Sequence, residues 1–489
     1  MSRHGKSALA AAVLVLQAIA VSAAEDAVRV HALPASAMLG AERLRLPGGE
    51  RMGLVGAGYV LELAPGWWMG PMVYGAATGR RGGLFTWGGE LQRRWVLAQH
   101  FGVAAGLYAG GGGGAASPVG GGLMLRPHVD LMLDFKGWQA GLSASHVRFP
   151  TGDISSTQLG LQLMVDDRFA YSAPGHAGER VSFDRRGGIG ADRMLPTVGR
   201  YTGRRDTGGT LGYVGLRLEQ QATPTLSATL EAAGAASGGA DGYMEALGGL
   251  SWQWPVVPAW RVGARGAVGL AGGGAVHTGG GPIAKAGLTT RWQPSRRWSV
   301  DLEAGQAKAF NGDFSARYAQ LSLGVALEDG TPSAGATVSP AALHDMEWSI
   351  GALHYAHAER KDGRERPMQL VTLAFNRSLS QHFYLSGQAH SAVAGGAGAY
   401  SVGLVGLGAR TRLGAASGWS AGLEALVGAA GGGGVASQGG AVVQPMAWLG
   451  RDLGRYSRLK LRAGAIKSRR GELATPVAEV AWSFEFGTP

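Results

Sequence analysis

The chain has 489 residues, of which 85 are Gly and none Cys, with Lys plus Arg at 45 and Asp plus Glu at 34. The missing Cys excludes disulfide frameworks, thiolate metal sites and Cys nucleophiles. Apolar residues at 45% and charged residues at 16% exclude a disordered polyelectrolyte.

The N-terminus reads as a targeting segment. Arg3, His4 and Lys6 precede an apolar run from Ala8 to Val21, followed by the small residues Ser22, Ala23 and Ala24 and by Glu25 and Asp26. This is the layout of a cleaved secretory signal over 1–24, and the run is too short for a bilayer-spanning helix. Losing Arg3 and Lys6 lowers the formal charge from +11 to +9. No later segment reads as a membrane helix. The uncharged stretch from Phe101 to Leu125 carries too many interior Gly, each costing a helix about 1 kcal/mol relative to Ala.

The remainder is organised as a threefold repeat. Gly-rich segments start at Ala109, Ala271 and Ala430. A Gly-acidic pair recurs at Gly152-Asp153, Gly312-Asp313 and Gly471-Glu472, and Trp138 and Trp298 open equivalent segments. The common register of these independent markers divides the chain into units 25–167, 168–329 and 330–489.

Within each unit the hydrophobic period is two. Val129, Leu131, Leu133 and Phe135 alternate with His128, Asp130 and Asp134; Val214, Leu216 and Leu218 oppose Arg217 and Glu219; Val480, Trp482, Phe484 and Phe486 oppose Glu479 and Glu485. Such segments are β-strands with one apolar and one polar face. The last strand resembles the terminal aromatic strand of Gram-negative outer-membrane barrels, although Gly487, Thr488 and Pro489 follow the final Phe. The fold expected is therefore all-β: a large antiparallel transmembrane β-barrel, porin-like in class, of about 18–24 strands at the usual strand spacing. Junctions without long linkers favour one barrel over three small ones. A soluble secreted sandwich is the rival fold. The Gly runs are read as strand ends and flexible loops, since the Lys and Ser/Thr of a phosphate loop are lacking.

Two sets of cations are candidates for function. Arg261, Arg265, Arg458, Lys460 and Arg462 lie on polar faces, which look into a barrel's lumen, where rings of cations favour anions. They could instead brace the wall against Asp130, Asp134, Asp301, Glu303, Glu479 and Glu485. The stretch from Arg168 to Asp206, the least strand-like, holds Arg180, Arg185, Arg186, Arg200, Arg204 and Arg205. It is read either as a constriction or lipopolysaccharide-binding loop, or as a solvated connection.

The expected function is an outer-membrane channel passing a polar, anionic solute or polymer such as an acidic polysaccharide. The rivals are a structural or adhesive barrel without transport and a barrel hydrolase. Gly418-Trp419-Ser420-Ala421-Gly422 matches the G-x-S-x-G elbow, but its surroundings continue as a strand. No enzyme activity, cofactor or metal is expected. The expected partners are outer-membrane lipid, lipopolysaccharide, the barrel assembly machinery and an export or envelope complex. Nucleic acid is not, because the cations form no basic helix or aromatic-interleaved patch.

Overall fold

A computed structural model describes residues 29–181, 190–327, 341–414 and 417–488. The proposed signal segment lies outside the described residues. Strands β1 (His31–Arg45), β2 (Arg51–Ala64), β3 (Trp67–Thr78), β4 (Phe85–Ala98), β5 (Phe101–Gly113), β6 (Met124–Asp134), β7 (Trp138–Arg148) and β8 (Ser155–Tyr171) form a closed barrel. The short β9 (Arg180–Val181) leads to a second barrel of β10 (Arg193–Thr202), β11 (Leu211–Gln221), β12 (Leu226–Ser237), β13 (Met244–Val257), β14 (Trp260–Gly272), β15 (Pro282–Trp292), β16 (Trp298–Ala309) and β17 (Ser315–Ala326). After β18 (Ala341–Ala342), which pairs with β9, comes a third barrel. Its strands are β19 (His344–Glu359), β20 (Glu365–Ser378), β21 (Phe383–Ala394), β22 (Ser401–Arg412), β23 (Trp419–Gly431), β24 (Ala441–Asp452), β25 (Ser457–Ser468) and β26 (Ala474–Thr488).

The all-β antiparallel wall, the threefold division and a total of twenty-four barrel strands match the sequence reading. The closure differs: each repeat closes on itself, and no single wall runs through all three. In barrel 1, β1 pairs with β8 from His31 opposite Tyr171 to Glu42 opposite Gly160. Equivalent pairings join β10 to β17 and β19 to β26. An even strand count makes the first and last strands of a repeat antiparallel, so each unit can satisfy its own edges. The stretch from Arg168 to Asp206 is correspondingly less loop-like than expected, since Arg168 to Tyr171 finish β8 and Arg193 to Thr202 form β10.

The repeat markers occupy equivalent places. Trp138 and Trp298 each open the seventh strand of their barrel, and the three Gly-acidic pairs sit in the three loops before the eighth strands. One end of barrel 1 carries the short turns 65–66, 99–100 and 135–137 and both ends of the barrel's chain. The other carries the longer loops 79–84 and 114–123. In outer-membrane barrels the short turns are periplasmic and the longer loops extracellular.

Burial is inverted relative to a soluble protein. On β6, Asp130 is wholly buried while its neighbours Val129 and Leu131 are about half exposed. The outward positions form an apolar belt of Leu, Val and aromatic residues, with Trp95, Trp138, Trp254, Trp260, Trp292, Trp298 and Trp419 exposed near the short-turn end. This is the exterior of a transmembrane barrel with an aromatic girdle at one interface. Among the described residues no helix is long and apolar enough to cross a membrane; the crossings are made by strands.

The three barrels stand in a ring. Strand β3 of barrel 1 packs on β14 of barrel 2, β11 and β12 of barrel 2 on β23 of barrel 3, and β20 and β21 of barrel 3 on β5 of barrel 1. Each barrel thus offers its fifth strand to the second or third strand of the one before it, a head-to-tail arrangement that closes after three. The Gly runs lie at these seams. A Cβ on Gly83 would come within 2.1 Å of Gly273 N, one on Gly431 within 2.1 Å of Gly242 N, and one on Gly122 within 2.6 Å of Gly398 Cα. Gly82 N donates to Gly279 O at 2.8 Å and Gly398 N to Gly120 O at 3.0 Å, while Lys361 pairs with Asp241 at 2.8 Å. Small residues permit this close backbone approach, as at helix interfaces in membranes. The runs do finish strands β5, β14 and β23, as expected, but beyond those ends they make packed contacts between barrels in place of flexible loops.

The first and last barrels also meet at the short-turn end, where Ser172 and Gly487 exchange backbone hydrogen bonds at 2.8 and 3.0 Å. That contact gives Gly487 a structural role.

Candidate functional site

An eight-stranded barrel has an interior just wide enough for side chains to fill, and all three lumens are filled with apolar and charged side chains. Toward the long loops lies an apolar plug: Leu44, Met52, Tyr74, Tyr108 and Phe149 in barrel 1, Tyr201, Tyr213, Tyr243 and Phe314 in barrel 2, and Tyr355, Met368 and Tyr400 in barrel 3. Next to this plug lies buried charge. In barrel 1 it is bounded on the short-turn side by a second apolar cluster of Met38, Val60, Met132 and Met164. In barrel 2 it reaches the tyrosines themselves, where Glu245 accepts from Tyr201 and Tyr243.

In barrel 1, Arg126 donates to Glu42 at 3.0 Å, Ser145 Oγ donates to the same carboxylate at 2.6 Å, and His128 bridges Glu90 at 2.7 Å and Asp130 at 3.0 Å. Barrel 2 holds the densest network. Arg217 pairs with Glu231 at 2.8 Å and Glu303 at 2.6 Å. Arg265 lies 3.3 Å from each of these carboxylates, and Lys285 pairs with Glu231 at 2.9 Å and Glu245 at 3.2 Å. Arg291 binds Glu219 at 2.7 Å and also Asp301. In barrel 3, Lys460 pairs with Glu347, Arg458 with Glu485 and with Asp452 at 2.6 Å, and Arg462 with Glu424 at 3.0 Å and Glu479 at 3.3 Å.

Of the predicted lumen cations, Arg265, Arg458, Lys460 and Arg462 do point inward, each buried and ion-paired. They do not share one pore, because Arg265 belongs to barrel 2 and the others to barrel 3. Arg261 sits at the short-turn rim, donating to Pro224 O at 3.1 Å. Asp301, Glu303, Glu479 and Glu485 act as the bracing partners, while Asp134 lies exposed beside a turn, accepting from Lys136 N at 2.9 Å. The reading of single strands missed Glu42, Arg126, Lys285, Glu347 and Glu424. Their signal was present as charges at alternate positions of neighbouring strands, but pairing them requires the strand register.

The second set of cations is dispersed. Arg180 is exposed in β9, and Arg200 points outward near the long-loop end of β10. Arg205 is exposed in the loop that follows, and Arg185 and Arg186 lie outside the described residues. Arg204 is buried against Asp206, with an N–O distance of 2.8 Å, and Asp206 also accepts from His277 N at 3.2 Å. That carboxylate ties the β10–β11 loop to the β14–β15 loop. Burial pushes its pKa up, but the Arg204 hydrogen bond, the His277 amide and the Arg204 charge outweigh it and hold the group below its ordinary value. A lowered folded-state pKa stabilises the lock above the unfolded value near 4 and loses that stabilisation as pH falls through the folded value. Exchange of the His277 amide should therefore accelerate below about pH 4 and become pH-independent in that range in Asp206→Asn, beyond the intrinsic rate.

Ser420 of the G-x-S-x-G match is buried in the lumen of barrel 3 on β23, which continues as a strand to Gly431. The strand-to-helix turn that an elbow requires is not formed there.

The ring encloses one more feature: an apolar space of 1610 Å³ between the barrels. It is walled by outward-facing residues of all three, among them Trp87, Phe169, Val198, Leu321, Trp348 and Val405. Gly83, Gly114, Gly242, Gly273 and Gly432 border it at the long-loop end.

No protein-family model and no curated protein matches the chain. Among solved structures it is similar to the outer membrane protein OpdK of Pseudomonas aeruginosa, with 7% identity over 94% of this chain and 99% of that one, at a TM-score of 0.23. It is also similar to Pseudomonas aeruginosa OccK2 (OpdF), solved in complex with glucuronate, with 12% identity over 94% and 98% of the chains, at 0.22. A third is the siderophore receptor PirA of Acinetobacter baumannii, with 8% identity over 94% and 81%, at 0.27.

Proposed function

We propose that the protein is a Gram-negative outer-membrane protein whose three barrels are closed, ion-braced membrane elements joined into a ring, so that its role is exercised by the ring and not by passage through a lumen. The observation that carries this reading is the satisfaction of the lumen charges. Each predicted selectivity cation that points inward already has a buried carboxylate partner, and tyrosine plugs cover the long-loop side. Removing one partner of such a pair would leave a bare buried charge, so the pairs resist opening.

A second reading, conduction of a polar anion such as an acidic polysaccharide, is favoured by the concentration of Arg and Lys at mid-lumen in barrels 2 and 3. It requires those pairs to part. Planar-bilayer recording of the purified protein in a salt gradient separates the two. Insertion without discrete conductance steps is the expected result, whereas anion-biased steps abolished by Arg462→Gln would establish the channel.

A further inference from the structure

We propose that the space enclosed by the ring is a binding site for the acyl chains of glycerophospholipid from the inner leaflet. The inference rests on the membrane placement argued above and goes beyond it by assigning a ligand class to the ring's centre.

Several observations converge on that occupant. Much of its wall comes from the outer faces of strands, the same faces that elsewhere form the lipid-facing belt. Val198 and Leu321 are a facing pair on β10 and β17, each about half exposed, and both line it. Its 1610 Å³ exceeds the usual 300–1,000 Å³ of a site for one small ligand, so it has room for more than one chain. An apolar space at bilayer depth is filled by what the bilayer supplies, since its wall offers water few partners.

The direction of entry follows from the ends. At the long-loop end the Gly seams bring backbones within contact distance between all three pairs of barrels. The opposite end is walled by Phe169, Trp348, Phe375 and Phe486. Trp348 lies 5.5 Å from Phe169 and 5.2 Å from Phe486, ring centre to ring centre, in a cluster shared by barrels 1 and 3. Aromatic rings at that level suit the glycerol region of a leaflet. Headgroups therefore sit at the short-turn end, which is the periplasmic one, and the leaflet there supplies phospholipid and not lipopolysaccharide.

The test uses the full chain extracted in mild detergent, washed, and weighed by native mass spectrometry with the released lipid identified. Wild type is expected to retain phospholipid. Val198→Trp combined with Val405→Trp fills the space from two barrels and is expected to lose that lipid, whereas Leu142→Trp, on the outer wall away from the ring's centre, keeps it. Heat-modifiable gel mobility shows that each variant is folded. A folded wild type that carries no lipid, carries only lipopolysaccharide, or keeps its phospholipid in the double Trp variant would overturn the proposal. Failure of the membrane placement itself would show differently, as protein that never enters the outer-membrane fraction.

Discussion

Replacing Glu231 by Gln is expected to destabilise barrel 2 by about 3–5 kcal/mol, the range for stripping one partner from a buried ion pair. One oxygen of Glu231 accepts from Lys285 at 2.9 Å. The other accepts from Arg217 at 2.8 Å and lies 3.3 Å from Arg265, and none of these side chains has meaningful exposure. Gln keeps the volume but leaves three cations facing two remaining carboxylates, Glu245 and Glu303. Urea unfolding in detergent, followed by heat-modifiable mobility, should show a lowered midpoint for the part of the chain that unfolds as barrel 2. Combining Glu231→Gln with Lys285→Met should recover part of the loss, because the excess cation leaves with its partner. A wild-type midpoint in Glu231→Gln would mean the cluster is hydrated and braces nothing.

The second large effect concerns the seams. Gly83 has φ of +95°, a region L side chains rarely adopt, and a Cβ there would meet backbone atoms of Gly272 and Gly273 at 2.4 and 2.1 Å. Backbone cannot yield as a flexible side chain can. Gly83→Val is therefore expected to part barrels 1 and 2 while each barrel still closes, since the closing strands β1 and β8 are untouched. Gly89→Ala is the control, because nothing lies within 4 Å of its Cβ position. The natural chain lacks Cys, so spin labels can be placed cleanly on the exposed Leu142 and Leu302, one on each barrel. The distance between them should lengthen and broaden in Gly83→Val and stay as in wild type in Gly89→Ala. An unchanged distance would show that the seam is not what holds the ring.

Much of this architecture was legible from residues alone. The period of two in HVDLMLDF already separates Asp130, inside, from Val129 and Leu131, outside, and the repeat markers fall at equivalent loops and strand starts. The bracing reading of Glu303 and Glu479 was also available, because opposite charges at inward positions of neighbouring strands must meet in a narrow lumen.

What the sequence could not tell is which edges meet. Strand β8 carries the same alternation whether it pairs with β1 or β10, so the choice between three closed barrels and one wide wall leaves no local trace. The Gly runs were legible as strand ends, but their packing between barrels was missed for a related reason. A Gly at 83 or 431 looks like a turn residue until the neighbouring barrel's backbone is placed beside it. Gly487 likewise reads only as a departure from the terminal aromatic strand until Ser172 is seen across from it.

Closure of each repeat on itself is what joins the lumens, seams and ring, and one disulfide tests it directly. Leu39 on β1 and Leu163 on β8 are facing residues of the closing pair in barrel 1. In an otherwise Cys-free chain, Leu39→Cys with Leu163→Cys should oxidise to a single intramolecular disulfide in the folded, membrane-extracted protein. If the folded protein keeps both thiols free, while Cys pairs placed between β8 and β10 do link, the repeats share one wall and the three-barrel ring is wrong.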